Sequence, residues 1–137
     1  MLISVMKVIV YTHQGARWHK EFTERPDWEA IAAAIRRLDK FAYPIVDLYF
    51  KDDDVYEAPR FEIMGGTGDW TMSADFYAKT FYNPLGNPDK SVHVWQSDQG
   101  AEPADTSVCH DIEVVLKATK YYCEYGMLDP SLSWTDV

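Results

Sequence analysis

Thirteen aspartates and glutamates fall between residues 51 and 113, and carboxylates are the groups in this sequence best able to do chemistry. A pair of them can act as general acid and base, or hold a cation, when burial and neighbours push their pKa values apart. Here their abundance removes that diagnostic value, because no spacing singles out one pair. Asp52-Asp53-Asp54 has the charge of a calcium loop but lacks the alternating oxygen ligands and the closing glutamate, so it reads as a hairpin tip in solvent. Gly65-Gly66-Thr67-Gly68 is glycine-rich enough to cradle a phosphate, yet a phosphate loop needs a helix and a lysine behind it. The alternating stretch Asp69 to Phe76 follows instead, which predicts a strained turn or bulge. His13, His19, His93 and His110 show no HxH, HExxH or HxxxH spacing, so no metal site and no cofactor is assigned. No GxSxG elbow occurs, and Cys109 and Cys123 read as packed thiols, so no catalytic residue is assigned either.

The elements that position these groups are legible from periodicity. Ile3 to Tyr11 is rich in β-branched residues and Trp18 to Thr23 follows a turn at His13 to Ala16, giving an opening hairpin. Pro26 suits a first helical position. Trp28, Ile31, Ile35 and Leu38 then recur at helical spacing, with Asp27 and Glu29 at one pole and Arg36, Arg37 and Lys40 at the other. From Ile45 the period becomes two: Val46, Leu48 and Phe50 oppose Asp47 and Tyr49, Phe61 and Ile63 alternate with Arg60 and Glu62, and Trp70, Met72, Ala74 and Phe76 alternate with polar residues. A last strand is expected at Ser91 to Trp95. A second helix is expected to begin near Ser107, to present Ile112, Val115, Leu116, Thr119, Tyr122 and Cys123, and to end at Gly126. On that helix the two cysteines, 14 residues apart, would lie about 21 Å from each other and could not pair. Leu132 and Trp134 in the tail are expected to dock. Strands in succession with segregated helices predict an α+β fold, a mostly antiparallel sheet of five to seven strands with two helices on one face, in a single domain over residues 1–137.

The net charge of −9 over 137 residues makes a nucleic acid or an anionic membrane an unlikely partner on electrostatic grounds. The whole excess lies in residues 51–113, where four basic groups face the thirteen acidic ones, together with Tyr56, Phe61, Trp70, Phe76, Tyr77, Phe81, Tyr82 and Trp95. If some of these aromatics face outward, the mixture is that of a protein interface, in which aromatic anchors supply affinity and charges supply steering. No targeting segment or spanning stretch is read, and two unpaired thiols suit a reducing cytoplasm.

The sequence also resembles the first immunity protein family of bacterial polymorphic toxin systems. The resemblance is carried by Asp27-Trp28-Glu29-Ala30-Ile31, Ile35-Arg36-Arg37-Leu38-Asp39 and Ile63-Met64-Gly65-Gly66-Thr67-Gly68. At the end of the chain it continues in Glu113-Val114-Val115-Leu116-Lys117-Ala118-Thr119-Lys120-Tyr121-Tyr122 and in Gly126-Met127-Leu128-Asp129-Pro130-Ser131-Leu132-Ser133-Trp134. It covers roughly residues 23 to 135. It implies a cytoplasmic, non-enzymatic inhibitor that binds a cognate toxin, often a nucleic-acid-modifying one, and it carries over no catalytic residue. The acidic segment independently suits a partner with a basic surface, and Asp52, Asp53, Asp54, Glu57, Asp69 and Trp70 are the expected contact residues. Two other classes compete. One is a small carboxylate-dependent enzyme acting on a cationic or metal-bound substrate, marked by two carboxylates of raised pKa in a concave site. The other is a module that self-associates through a sheet edge.

Overall fold

A computed structural model of the chain describes residues 1–12, 17–50, 59–96 and 100–137, of Thr12 the backbone alone. Among these, the order is β1 (Ile3–Thr12), β2 (Arg17–Glu24), α1 (Trp28–Arg37), β3 (Ile45–Phe50), β4 (Phe61–Gly66), β5 (Asp69–Ala74), β6 (Lys79–Tyr82), α2 (Ile112–Tyr125) and β7 (Ser133–Asp136). The seven strands form one antiparallel sheet in the order β2-β1-β3-β4-β5-β6-β7. This is the expected α+β fold.

Each helix forms for a local reason. Asp27 caps α1 by accepting from the Ala30 amide at 2.8 Å, so Pro26 precedes the cap rather than opening the helix. Asp111 caps α2 from the Glu113 amide, and Gly126 closes that helix in the left-handed conformation at φ 66°. Ile31 and Ile35 of α1, with Val115, Tyr122 and Cys123 of α2, pack on the sheet face made by Val8, Val46, Leu48, Phe61, Ile63 and Met72. Burying each such large apolar side chain contributes about 1.5–3 kcal/mol.

The opposite face departs from the sequence expectation. Half-buried strands were expected from the alternation at Ile45 to Phe50, but β3 is buried on both sides along Ile45 to Tyr49. One end of that face is covered by the segment around Val92, Val94 and Val108, which forms a small second cluster with Met64 and Ala101. Within this segment Ser91 bridges Ala104 and Trp95 bridges Ala101, so Ser91 to Trp95 is no strand of the main sheet. The sheet position beside β6 is taken instead by the tail, β7, whose Trp134 packs on Phe81. The second helix is also shorter than expected: residues Asp105–Ser107 form a 3-10 turn, and Cys109 precedes α2, bridging Trp70 in extended conformation. The two cysteines, both buried free thiols, therefore do not share a helix. No helix among the described residues is long and apolar enough to cross a membrane.

Candidate functional site

Two polar centres, at different places on the sheet, hold most of the described groups with perturbed chemistry. The first arises from register. Lys7 on β1 faces Asp47 on β3, and Asp47 faces Glu62 on β4, so three charged residues from three adjacent strands fall in one row. Tyr49 shares their face two residues along β3. Lys7 Nζ lies 3.3 Å from Asp47 Oδ2, and Asp47 is only 3% exposed. Burial alone would lower the Lys7 pKa, but its hydrogen bond with Tyr49 and the Asp47 charge overcome that, leaving it above the ordinary value. Burial raises Asp47 and Tyr49 as well.

Glu62 is the most displaced group, pushed up to about 9 by burial, then by the Asp47 charge and the hydrogen bond the two carboxyls share. Among the described residues Asp47 Oδ1 has no N–H or hydroxyl donor, and two ionised carboxylates cannot bond each other. A proton held on Glu62 resolves both facts. Glu62 donates to Asp47, Lys7 donates to the same carboxylate, and the row carries one acid, one anion and one cation. Asp75 adds its charge nearby and is itself raised by burial.

The second centre is built by the glycine turn. Gly66 takes φ 133°, and a Cβ there would lie 2.3 Å from the Leu38 carbonyl oxygen, so only glycine lets the end of α1 close on the β4–β5 turn. This contact brings Lys40 to Asp69, with Nζ to Oδ2 at 2.6 Å. The Trp70–Cys109 bridge sets the next residues side by side, so His110 Nδ1 reaches Asp69 Oδ1 at 2.8 Å. His110 Nε2 reaches Asp105 Oδ1 at 2.7 Å. Only an imidazolium can donate from both nitrogens, and the His110 pKa is raised, chiefly by the bond to Asp105. Asp105 is held below the usual carboxylate range by the Asn87 amide first and by His110 second. Cys109 beside it is pushed up by burial and is an inert thiol.

Of the six residues expected to form one contact surface, the structure describes Asp69 and Trp70. Asp52, Asp53, Asp54 and Glu57 lie outside the described residues. Asp69 is engaged by Lys40 and His110 and is no free anion. Trp70 is 6% exposed in the main core, which corrects its expected role as an outward anchor: the alternation along β5 turns it toward the helices with Met72 and Ala74. The chain leaves the sheet at Phe50 and returns at Phe61, whereas Asp69 and Trp70 follow the turn at the far end of β4.

Of the eight aromatics in the acidic segment, Phe61, Trp70 and Phe81 are buried and Trp95 is half-buried, 5.6 Å from the Tyr11 ring. Phe76, Tyr77 and Tyr82 are exposed; Tyr56 lies outside the described residues. Sequence reasoning missed Lys7, Asp47, Glu62, Lys40, Asp105 and His110. A signal existed for the first three, since each is a single charge inside an otherwise apolar or alternating strand. Comparison with protein-family models, with curated proteins and with solved structures finds no match to this chain.

Proposed function

We propose that this protein is a cytoplasmic immunity protein, which binds a cognate bacterial toxin domain with a basic, nucleic-acid-modifying surface and inhibits it by occlusion. The observation that carries this reading is the exposure of Phe76, Tyr77 and Tyr82 within the segment that holds all the excess negative charge. Aromatics in an acidic setting supply what a basic partner needs, namely steering at long range and hot-spot contact at short range. Co-expression with the polypeptide encoded by the neighbouring upstream gene is expected to rescue growth. Reversal of Asp52, Asp53 and Asp54 to lysine is expected to slow association strongly. An association rate indifferent to that reversal and to salt would remove the electrostatic part.

A second reading, a carboxylate-dependent enzyme, is favoured by the Asp47–Glu62 pair, since both carboxyls have raised pKa values and lie beside a lysine and a tyrosine. The two readings part on one variant. An inhibitor carrying Glu62→Gln, if folded, protects as well as the wild type; a carboxylate-dependent enzyme unrelated to the toxin protects in neither form.

A further inference from the structure

β2 (Arg17–Glu24) ends the sheet, and all eight of its residues are exposed. Trp18 is 57% exposed and Phe22 53%, large apolar surfaces for a sheet edge. The ladder with β1 fixes which backbone groups of β2 face outward. In that register Ser4 stands opposite Arg25, whose amide donates to the Ser4 carbonyl at 2.7 Å. On the other side of β1 the Tyr11 amide donates to the Ala42 carbonyl at 2.7 Å, so the odd residues of β1 turn toward β3 and the even ones toward β2. The partners of those even residues are Arg17, His19, Glu21 and Thr23. Trp18, Lys20, Phe22 and Glu24 therefore point their N–H and C=O groups away from β1, and among the described residues no strand lies on that side.

The order of side chains along β2 selects the occupant. Arg17, His19 and Lys20 fill its first half, Glu21 and Glu24 its second. Two such strands paired antiparallel set the basic half of each against the acidic half of the other. With a two-fold axis through the sheet at Glu21, Trp18 meets Glu24 and Lys20 meets Phe22 of the other copy. All four outward residues then pair, closing about eight hydrogen bonds. Lys20 lies diagonal to the other copy's Glu24 in this register. The Lys20 ammonium already sits 5.6 Å from the Trp18 ring centroid, so packing on an aromatic ring is how this side chain behaves within its own chain.

Other registers fail on the same residues. Slid by two positions one way, Lys20 opposes Lys20 and Glu24 leaves the ladder; slid the other way, Trp18 opposes Pro26, which has no N–H. Backbone and side chains thus choose one register. Its cost lies on the helix face, where the two Glu21 carboxylates meet at the axis. Each has Arg37 Nη2 at 3.6 Å and His19 Nε2 at 3.4 Å within its own chain.

We infer that β2 is the dimerisation edge of this protein and that its occupant is β2 of a second copy, paired antiparallel about Glu21, with Lys20 of each copy against Phe22 and Glu24 of the other. The pairing needs no toxin and holds whether or not the protein is an inhibitor.

The test is sedimentation equilibrium of the full chain from micromolar to submillimolar concentration, with melting curves to show that each variant is folded. The wild type is expected to dimerise. Lys20→Pro removes an outward N–H that the ladder with β1 does not use, and is expected to abolish the dimer while the chain stays folded. Lys20→Glu is expected to weaken the dimer about tenfold, because two cross-strand pairs turn from attractive to repulsive. Adding Glu24→Lys to that variant restores both pairs with their signs exchanged and is expected to recover most of the loss. A wild type that stays monomeric throughout overturns the inference. A dimer that survives in folded Lys20→Pro, or that Lys20→Glu leaves unchanged, assigns the contact to another surface and overturns it as well. A dimer lost in Lys20→Glu that Glu24→Lys does not restore overturns the register.

Discussion

The row Lys7–Asp47–Glu62 and the cluster Lys40–Asp69–His110–Asp105 use the same ingredients and reach opposite electrostatic outcomes. Each contains a lysine paired to an aspartate, at 3.3 Å in the row and 2.6 Å in the cluster. The row is almost sealed, and there burial is the largest influence on Lys7 and on both carboxyls; it leaves Glu62 protonated. The cluster is partly open to water, and hydrogen bonds dominate, raising His110 and lowering Asp105 so that both stay charged. The count of cations decides the rest. One lysine cannot compensate both the buried Asp47 and the half-buried Glu62 beside it, so one of them keeps its proton; a lysine and an imidazolium match Asp69 and Asp105.

The largest expected effect breaks the row at its cation. In Lys7→Met the side-chain volume is kept but Asp47 remains buried without its ammonium, and removal of one partner of a buried pair costs about 3–5 kcal/mol. Urea unfolding at neutral pH measures it. The loss is expected to shrink in acid, where Asp47 can take up a proton. A cost under about 1 kcal/mol, the range of exposed pairs, would mean that the row is no more sealed than the surface.

The next effect separates the two centres by pH. Glu62 binds its proton more tightly in the folded chain than in the unfolded one, so its contribution to stability is complete below the ordinary value of 4.5 and is lost as pH rises through about 9. Between those limits the wild type is expected to lose stability with a slope of order 1 kcal/mol per pH unit, close to the limit for one proton. Glu62→Gln keeps a donor toward Asp47 and cannot ionise, so its stability is expected to fall much less over the same range. Urea midpoints at pH 5, 7 and 9 give both slopes, and parallel slopes would place the proton elsewhere.

What could be read in the sequence divides along the same line as local and long-range order. The helices, the hairpin β1–β2, the strands β3 to β5 and the Gly126 cap follow from period, caps and turn residues, all within a few positions of each other. Register is different. Lys7 and Asp47 stand out as lone charges in their strands, but that they meet depends on how β1 pairs with β3 across α1. His110 and Asp69 meet only because Cys109 bridges Trp70, and no pattern near either residue encodes that contact. Helical spacing near Cys109 even pointed the wrong way, since periodicity ran on past the cap at Asp111 into extended chain. Trp70 was misjudged because its neighbour Asp69, not its own place in the alternation, suggested a surface.

The smallest expected effect is the most selective test of the cluster. His110 faces Asp69, Asp105 and the Gly68 carbonyl, with Lys40 on the far side of Asp69 and Lys90 near Asp105. Its pKa is raised above 6.5, so its contribution is full below that value and is lost as pH climbs through the raised one. Asp105 is lowered from 3.8 and works in the other sense, its contribution being present above that value and lost on acidification. The cluster is therefore strongest between about pH 4 and 6.5. Because the imidazole is partly exposed, His110→Gln is expected to cost under about 1 kcal/mol overall. Its local consequence is larger, since Asp105 holds the Asn87 amide at 2.9 Å and the same turn abuts the segment covering the sheet's second face. Amide exchange at Asn87 is expected to quicken in the wild type above neutral pH and in His110→Gln at every pH, while Glu62→Gln leaves it unchanged. If exchange at Asn87 responds instead to Glu62→Gln, the two centres are one coupled network, and the contrast between a sealed row and an open cluster fails.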